Sequence, residues 1–153
     1  MGNSPEKGTV ILRFRKLNNL AQEPFRGSEQ AAGWDLFCTE FYKDPIADVY
    51  VYKTGIAVEL PPGHVGLLFP RSSIYKYTLF PTNCVGVIDP DYRGEIMFKF
   101  AVRDANETGE RLYGVGERIA QLIVMPFLDV QWLEVKKLSD TKHGTGGYGS
   151  SGV

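Results

Sequence analysis

Apolar residues along this chain alternate with polar ones rather than recurring three and four positions apart. From 95 to 102, Ile96, Phe98 and Phe100 fall on one face and Met97 and Lys99 on the other, the period of two that a half-buried strand requires. Similar runs at 10–14, 34–38, 49–52, 55–60, 64–69, 119–125 and 130–135 predict further strands. Turn signals separate them: Pro61-Pro62-Gly63, Asp89-Pro90-Asp91, Thr108-Gly109 and Gly114-Val115-Gly116. No segment keeps a helical apolar stripe for ten residues. Crossover helices, and with them a parallel sheet, are therefore not expected. The pattern predicts an all-β sandwich or barrel with at most one short helix, at 74–77, capped by Ser72 or Ser73.

The last fifteen residues differ. From Ser139 the chain is rich in glycine and has no apolar periodicity, which by composition is a flexible arm. At 153 residues the chain accommodates one domain, expected over 1–138, with the arm at 139–153. Seventeen basic against 18 acidic residues give a net charge of −1, without general attraction for nucleic acid or an anionic membrane, so a phosphate ligand must be met locally. Cys38 and Cys84 form no C-x-x-C pair and lie among apolar residues, and no zinc-ligand spacing is present. They are expected to be reduced core thiols of a cytoplasmic protein, in keeping with the absence of a signal segment or a bilayer-length apolar run.

Five segments carry candidate chemistry. Residues 144–149 spell G-x-G-x-x-G, but only four residues follow Gly149, so the helix that a dinucleotide fold needs has no room. What remains is a backbone able to turn N–H groups toward an anion, with Ser150 and Ser151 as donors and Tyr148 able to stack on a base; a plain flexible tail is the alternative. The acidic turn GVIDPDYRG at 86–94 precedes the best strand. Asp89 follows the apolar Val87 and Ile88, where a partly enclosed carboxylate can hold and deprotonate a water; a solvated turn explains it equally. In PRSS at 70–73, Arg71 with Ser72 and Ser73 suits phosphate oxygens, or else forms a helix cap and a surface arginine. In ERIAQLI at 117–123, Gln121 shares a strand face with Ile119 and Ile123, as a buried structural amide or a ligand contact. Asp35 in AAGWDL at 31–36 alternates with Trp34 and Leu36 and can face solvent.

Taken in order, AAGWDL, PRSS, NCVGVIDPDYRG at 83–94, ERIAQLI and the arm at 144–152 resemble the five motifs of trimeric dUTPases, over about residues 27–152. The resemblance implies a jelly-roll-like β-clip barrel and a homotrimer with three active sites at subunit interfaces. It also implies Mg²⁺-assisted hydrolysis of dUTP to dUMP and pyrophosphate, which limits uracil incorporation into DNA and supplies dUMP. Carried over by motif position, Asp89 would activate the attacking water and Tyr92 would pack under the deoxyribose. Asn83, Met97 and the backbone near Val87 and Ile88 would contact the nucleoside. Arg71, Ser72, Ser73 and Gln121 would contact the phosphates. In the arm, Gly147, Tyr148 and Gly149 would cover the base, and Ser150 and Ser151 would reach the γ-phosphate. Mg²⁺ would be held mainly by the phosphates and waters, with Asp35 an indirect metal-supporting acid.

Three positions depart from the family pattern. His143 stands where an arginine usually precedes the glycine-rich segment, Ser73 replaces the glycine of an Arg-Ser-Gly triplet, and Trp34 replaces a tyrosine. Two rival readings share the fold. A dCTP deaminase needs a glutamate base late in the strand after the hairpin, where this chain has Met97-Phe98-Lys99-Phe100. A regulatory binding protein needs no catalytic set, whereas Asp89, Ser72 and Gln121 are all present; FYKDPIADV at 41–49 is then a partner surface or a simple loop.

Overall fold

The computed structural model describes residues 8–103, 109 and 111–146. Among the described residues nine strands form in chain order: β1 Arg13–Lys16, β2 Trp34–Phe37, β3 Glu40–Asp44, β4 Val49–Glu59, β5 His64–Pro70, β6 Leu79–Pro81, β7 Gly86–Ile88, β8 Glu95–Val102 and β9 Arg118–Pro126. They make two antiparallel sheets, one ordered β1-β4-β8-β6 with β3 also on β4, the other β2-β9-β5-β7. The core lies between the sheets, where Tyr52, Ile56, Phe98 and Phe100 of the first join Leu36, Leu68, Ile119 and Leu122 of the second. The alternation anticipated for β8 is present, with Ile96, Phe98 and Phe100 buried and Met97 and Lys99 exposed.

Several elements differ from the sequence pattern for identifiable reasons. The two runs at 49–52 and 55–60 are a single strand, β4. Its register against β8 shifts between Lys53 and Ala57, where Gly55 takes φ +64°. The polar groups exposed by the shift are satisfied locally: the Thr54 hydroxyl donates to the Ile96 carbonyl at 2.7 Å, and the Gly55 N–H donates to Glu95 Oε1 at 2.7 Å. The run at 10–14 pairs three residues later than expected, because Arg13–Lys16 is what meets Ile56 to Glu59 of β4. Segment 41–49, taken above as a loop or partner surface, supplies most of β3, which pairs with the first half of β4.

Residues 130–135 form no strand; they are exposed, with Trp132 at 95% of its full accessibility. Alternation alone cannot hold a strand that has no partner to take its hydrogen bonds. The predicted helix is a 3₁₀ turn at Ser72–Lys76, and its N-cap is Arg71 with no side-chain cap bond, so neither Ser72 nor Ser73 serves as the cap. Cys38 is buried as anticipated, but Cys84 is exposed on the loop before β7, so the expectation of two core thiols fails for it.

Candidate active site

A cleft of about 450 Å³ opens beside the turn that joins β7 to β8. Its floor is the outward face of β8, Glu95, Met97 and Lys99, and its walls are Thr82, Asn83, Val87, Asp89 and Tyr92. The turn has Pro90 just after Asp89, where its fixed φ favours the chain reversal, and the Tyr92 N–H donates to the Asp89 carbonyl at 3.1 Å. Arg93 ties the tip together through Nη1, which donates to the carbonyls of Pro90 at 2.6 Å and Tyr92 at 3.0 Å.

Tyr92 is held on two sides. Its hydroxyl donates to the Glu95 carbonyl at 3.0 Å, and its ring lies so close over Gly94 that a Cβ there would collide with the ring and the hydroxyl. Only glycine lets the ring lie in that place.

The cleft contains two carboxylates in different states. Glu95 is committed, since Oε1 accepts from Gly55 N–H and Oε2 lies 3.6 Å from Lys53 Nζ. Asp89 is exposed and has no ion pair among the described residues. The partial enclosure anticipated for Asp89 is therefore not supplied by its own chain. An unengaged carboxylate is the one able to accept a proton from water. Asn83 is also exposed, and its amide donates only a long 3.4 Å bond to the Val85 carbonyl.

A second cluster forms where β2, β9 and β5 run side by side. Register places Asp35 opposite Gln121, and Gln121 opposite Phe69, which brings the end of β5 and the Arg71 that follows it to the same place. Asp35 Oδ1 lies 3.0 Å from Arg71 Nε and its Oδ2 lies 3.1 Å from Arg118 Nη1. Arg71 Nη1 donates to Ser73 Oγ at 3.4 Å and to the Arg118 carbonyl at 3.5 Å. Gln121 Nε2 donates to the Pro70 carbonyl at 3.0 Å, and its amide oxygen lies so close over Gly33 that a Cβ there would collide with it. Two guanidinium groups share one carboxylate, and Ser72, next in the chain after Arg71, is exposed. Such a surface suits phosphate oxygens.

The expected residues thus fall into two groups. Asn83, Val87, Ile88, Asp89, Tyr92 and Met97 line the cleft, while Arg71, Ser72, Ser73 and Gln121 do not. Asp35 is not the solvent-facing acid that alternation allowed; its side chain keeps 15% exposure and both its oxygens are engaged by guanidinium groups. His143 is exposed, and its carbonyl accepts from the Gly146 N–H at 3.2 Å. Gly147, Tyr148, Gly149, Ser150 and Ser151 lie outside the described residues. Sequence reading missed Arg118, Gly94, Thr82 and Lys99. The pairing of Arg118 with Asp35 spans 83 positions and has no local signal, whereas Lys99 was visible as the next outward residue after Met97.

Residues 20–152 match the family model for dUTPase. The chain belongs to the dUTPase family. It is 40% identical over 145 residues to the deoxyuridine 5′-triphosphate nucleotidohydrolase of a Hydrogenobaculum species, covering 93% of this chain and 98% of that one. It is 39% identical over 152 residues to the human mitochondrial deoxyuridine 5′-triphosphate nucleotidohydrolase, covering 96% of this chain but only 57% of the human protein. Among solved structures it resembles the dUTPase of Staphylococcus bacteriophage 80alpha with dUPNHPP, at 28% identity and a TM-score of 0.79, over 95% of this chain and all of that one. A mutant dUTPase from phage phi11 of S. aureus, whose structure reveals the coordination of a structural Mg(II) ion, is 25% identical with a TM-score of 0.68, over 85% and 99% of the two chains. The two-sheet, all-β architecture agrees with these neighbours.

Proposed function

We propose that this dUTPase-family chain hydrolyses dUTP to dUMP and pyrophosphate, with Asp89 as the base that deprotonates the attacking water. The observation that carries the reading is the unengaged Asp89 carboxylate in a nucleoside-sized cleft, beside a tyrosine locked against Gly94. The relatives named above as dUTP nucleotidohydrolases, and the phage enzyme with dUPNHPP, support the substrate assignment.

In this reading the deoxyribose lies over Tyr92, where the fixed ring leaves no room for a 2′-hydroxyl. Asn83 and the backbone near Val87 and Ile88 meet the base, and Met97 supports the nucleoside from below. Asp89 takes a proton from water as the oxygen attacks the α-phosphorus in line with departing pyrophosphate. Arg71, Ser72, Ser73 and Gln121 bind the phosphate chain, and Asp35 is a positioning residue that fixes the Arg71 guanidinium.

The phosphate-binding group stands apart from the Asp89 cleft, so completion of the site by a second copy of the chain is part of the proposal. A symmetric homotrimer with sites at its interfaces meets that need. The arm at 139–153, with His143 at its base and Tyr148, Ser150 and Ser151 beyond, would close over the bound nucleotide.

Among the described residues no three metal-ligating side chains gather. In this reading Mg²⁺ would be carried on the triphosphate with its waters, where the ion would supply charge neutralisation.

Assaying pyrophosphate release from dUTP, dCTP, dTTP and UTP, with ammonia followed in parallel, tests the reading. Release from dUTP alone and without ammonia is the expected result. Ammonia from dCTP would instead indicate deamination, and no turnover at all would favour a binding role.

A further inference from the structure

Tyr113 stands just before the Gly114-Val115-Gly116 turn, and neither the mechanism above nor the five motifs use it. It keeps only 1% of its accessibility, yet its hydroxyl has no hydrogen-bond partner among the described residues. A buried polar group left in that state is uncommon in a native fold and costly to keep.

The side chain is held where it is. Tyr77 lies against it with ring centroids 3.8 Å apart, and the rings of Tyr52 and Phe100 pack on it at 6.0 and 5.8 Å. The Tyr52 hydroxyl donates to the Tyr113 carbonyl at 3.3 Å, and the Thr78 N–H donates to the Arg111 carbonyl at 3.1 Å. Tyr77 also closes the 3₁₀ turn that carries Ser72 and Ser73, so the stack ties Tyr113 to that turn. Burial pushes the phenol up from 10.0 to about 12, which keeps it protonated and able to donate, while the Arg71 charge and the Ser73 hydroxyl reach it and pull the other way. Ser73 is half-buried, and its Oγ accepts from Arg71 Nη1 through a long bond of 3.4 Å. Between Tyr113 and Ser73 no hydrogen bond is closed.

Resting on the dUTPase reading above, we propose that Tyr113 is a positioning residue that closes a hydrogen bond to Ser73 Oγ when nucleotide binds, and so turns the Ser73 proton toward the phosphate chain. A serine hydroxyl has one proton and two lone pairs. With Arg71 and Tyr113 both donating to the lone pairs, only the proton is left to give. A phosphate oxygen, which accepts, is the partner it suits. Ser73 stands where the family triplet usually has glycine, so this chain has a hydroxyl to orient that glycine lacks.

The test is a double-mutant cycle of Tyr113→Phe, Ser73→Ala and the pair, with dUPNHPP binding by calorimetry, kcat and KM for dUTP, and the thermal midpoint measured for each. Tyr113→Phe keeps the ring and its stack. It is expected to leave the midpoint unchanged or higher, to weaken dUPNHPP binding and raise KM roughly tenfold, and to change kcat less. In the Ser73→Ala background the same substitution should change neither Kd nor KM. Losses that multiply across the two positions, unchanged binding in Tyr113→Phe, or a lowered midpoint showing the hydroxyl already bonded without nucleotide, would each overturn the assignment. A parent protein that binds dUPNHPP but turns over no dUTP would contradict the proposed activity, while the cycle in binding would still decide the role of Tyr113.

Discussion

The cleft beside Asp89 and the charged cluster around Asp35 solve opposite problems with similar residues. In the cleft the Asp89 carboxylate has no cation among the described residues, on a six-residue turn, 89–94, whose geometry is set by Pro90 and by the close approach of Tyr92 to Gly94. In the cluster a carboxylate is saturated by two guanidinium groups, brought together from β2, β9 and the residue that follows β5, far apart in sequence. The difference teaches how charge state assigns a role. A free carboxylate can move a proton, whereas a doubly paired one can only fix the direction of its cations. In the proposed mechanism the same Asp side chain is reactive at position 89 and a strut at position 35.

The sharpest way to break this comparison is to neutralise each acid. Asp89→Asn keeps the shape and removes the base, so dUTP binding should persist while turnover falls by at least about 100-fold. Calorimetry beside a pyrophosphate assay measures both, and near-normal turnover would remove Asp89 from its role. Gly94→Ala acts on the cleft without touching a reactive group. The added methyl displaces the Tyr92 ring, and kcat/KM for dUTP should fall on the order of 100-fold with a reduced preference for dUTP over UTP. A normal preference would mean that Tyr92 does not read the sugar.

In the cluster, Asp35→Asn should raise KM roughly tenfold with a smaller change in kcat, and destabilise the fold by about 2 kcal/mol, because two guanidinium groups lose their shared anion. Equal loss of kcat and kcat/KM would instead place Asp35 in the transition state.

The smallest effect separates the two regions by their thiols. Cys84 is exposed beside the cleft and should be alkylated quickly near neutral pH, and saturating nucleotide should slow that reaction. Cys38 lies buried at the end of β2 near the charged cluster, and burial pushes its thiol from 9.0 up to about 11. It should resist alkylation in the native protein. Since the folded thiol holds its proton more tightly than the unfolded one, this contribution to stability is complete below pH 9.0 and is lost as pH rises through about 11. Denaturant titrations across that window would record the decline, and a Cys38→Ser variant should show less of it.

Much of the fold was legible because strand periodicity is a local property. β5, β8 and β9 each contain enough alternating apolar residues to declare themselves. β3 and β6 were not legible. Glu40–Asp44 is mostly exposed and charged, and Leu79–Pro81 is three residues ending in proline, so both exist through the hydrogen bonds of the long strands beside them. The segment at 130–135 failed in the opposite sense, having the alternation of a strand and no partner among the described residues.

The candidate site divides along the same line. Asn83, Asp89 and Tyr92 lie within one stretch of ten residues and could be read from one motif. The pairing of Asp35 with both Arg71 and Arg118 depends on register between strands, which no local pattern encodes. That the two halves stand apart within one chain could not be read from motif order at all.

That separation is also the central claim, and mixing defective chains tests it most directly. Asp89→Asn and Arg71→Ala each should be inactive alone. If Asp89 and Arg71 of one working site come from different copies of the chain, unfolding and refolding the two variants together in equal amounts should recover about a quarter of parental turnover, the share of randomly assembled sites with both residues intact. Mixtures that stay as inactive as the single variants, though assembled into the same oligomer, would contradict the divided site.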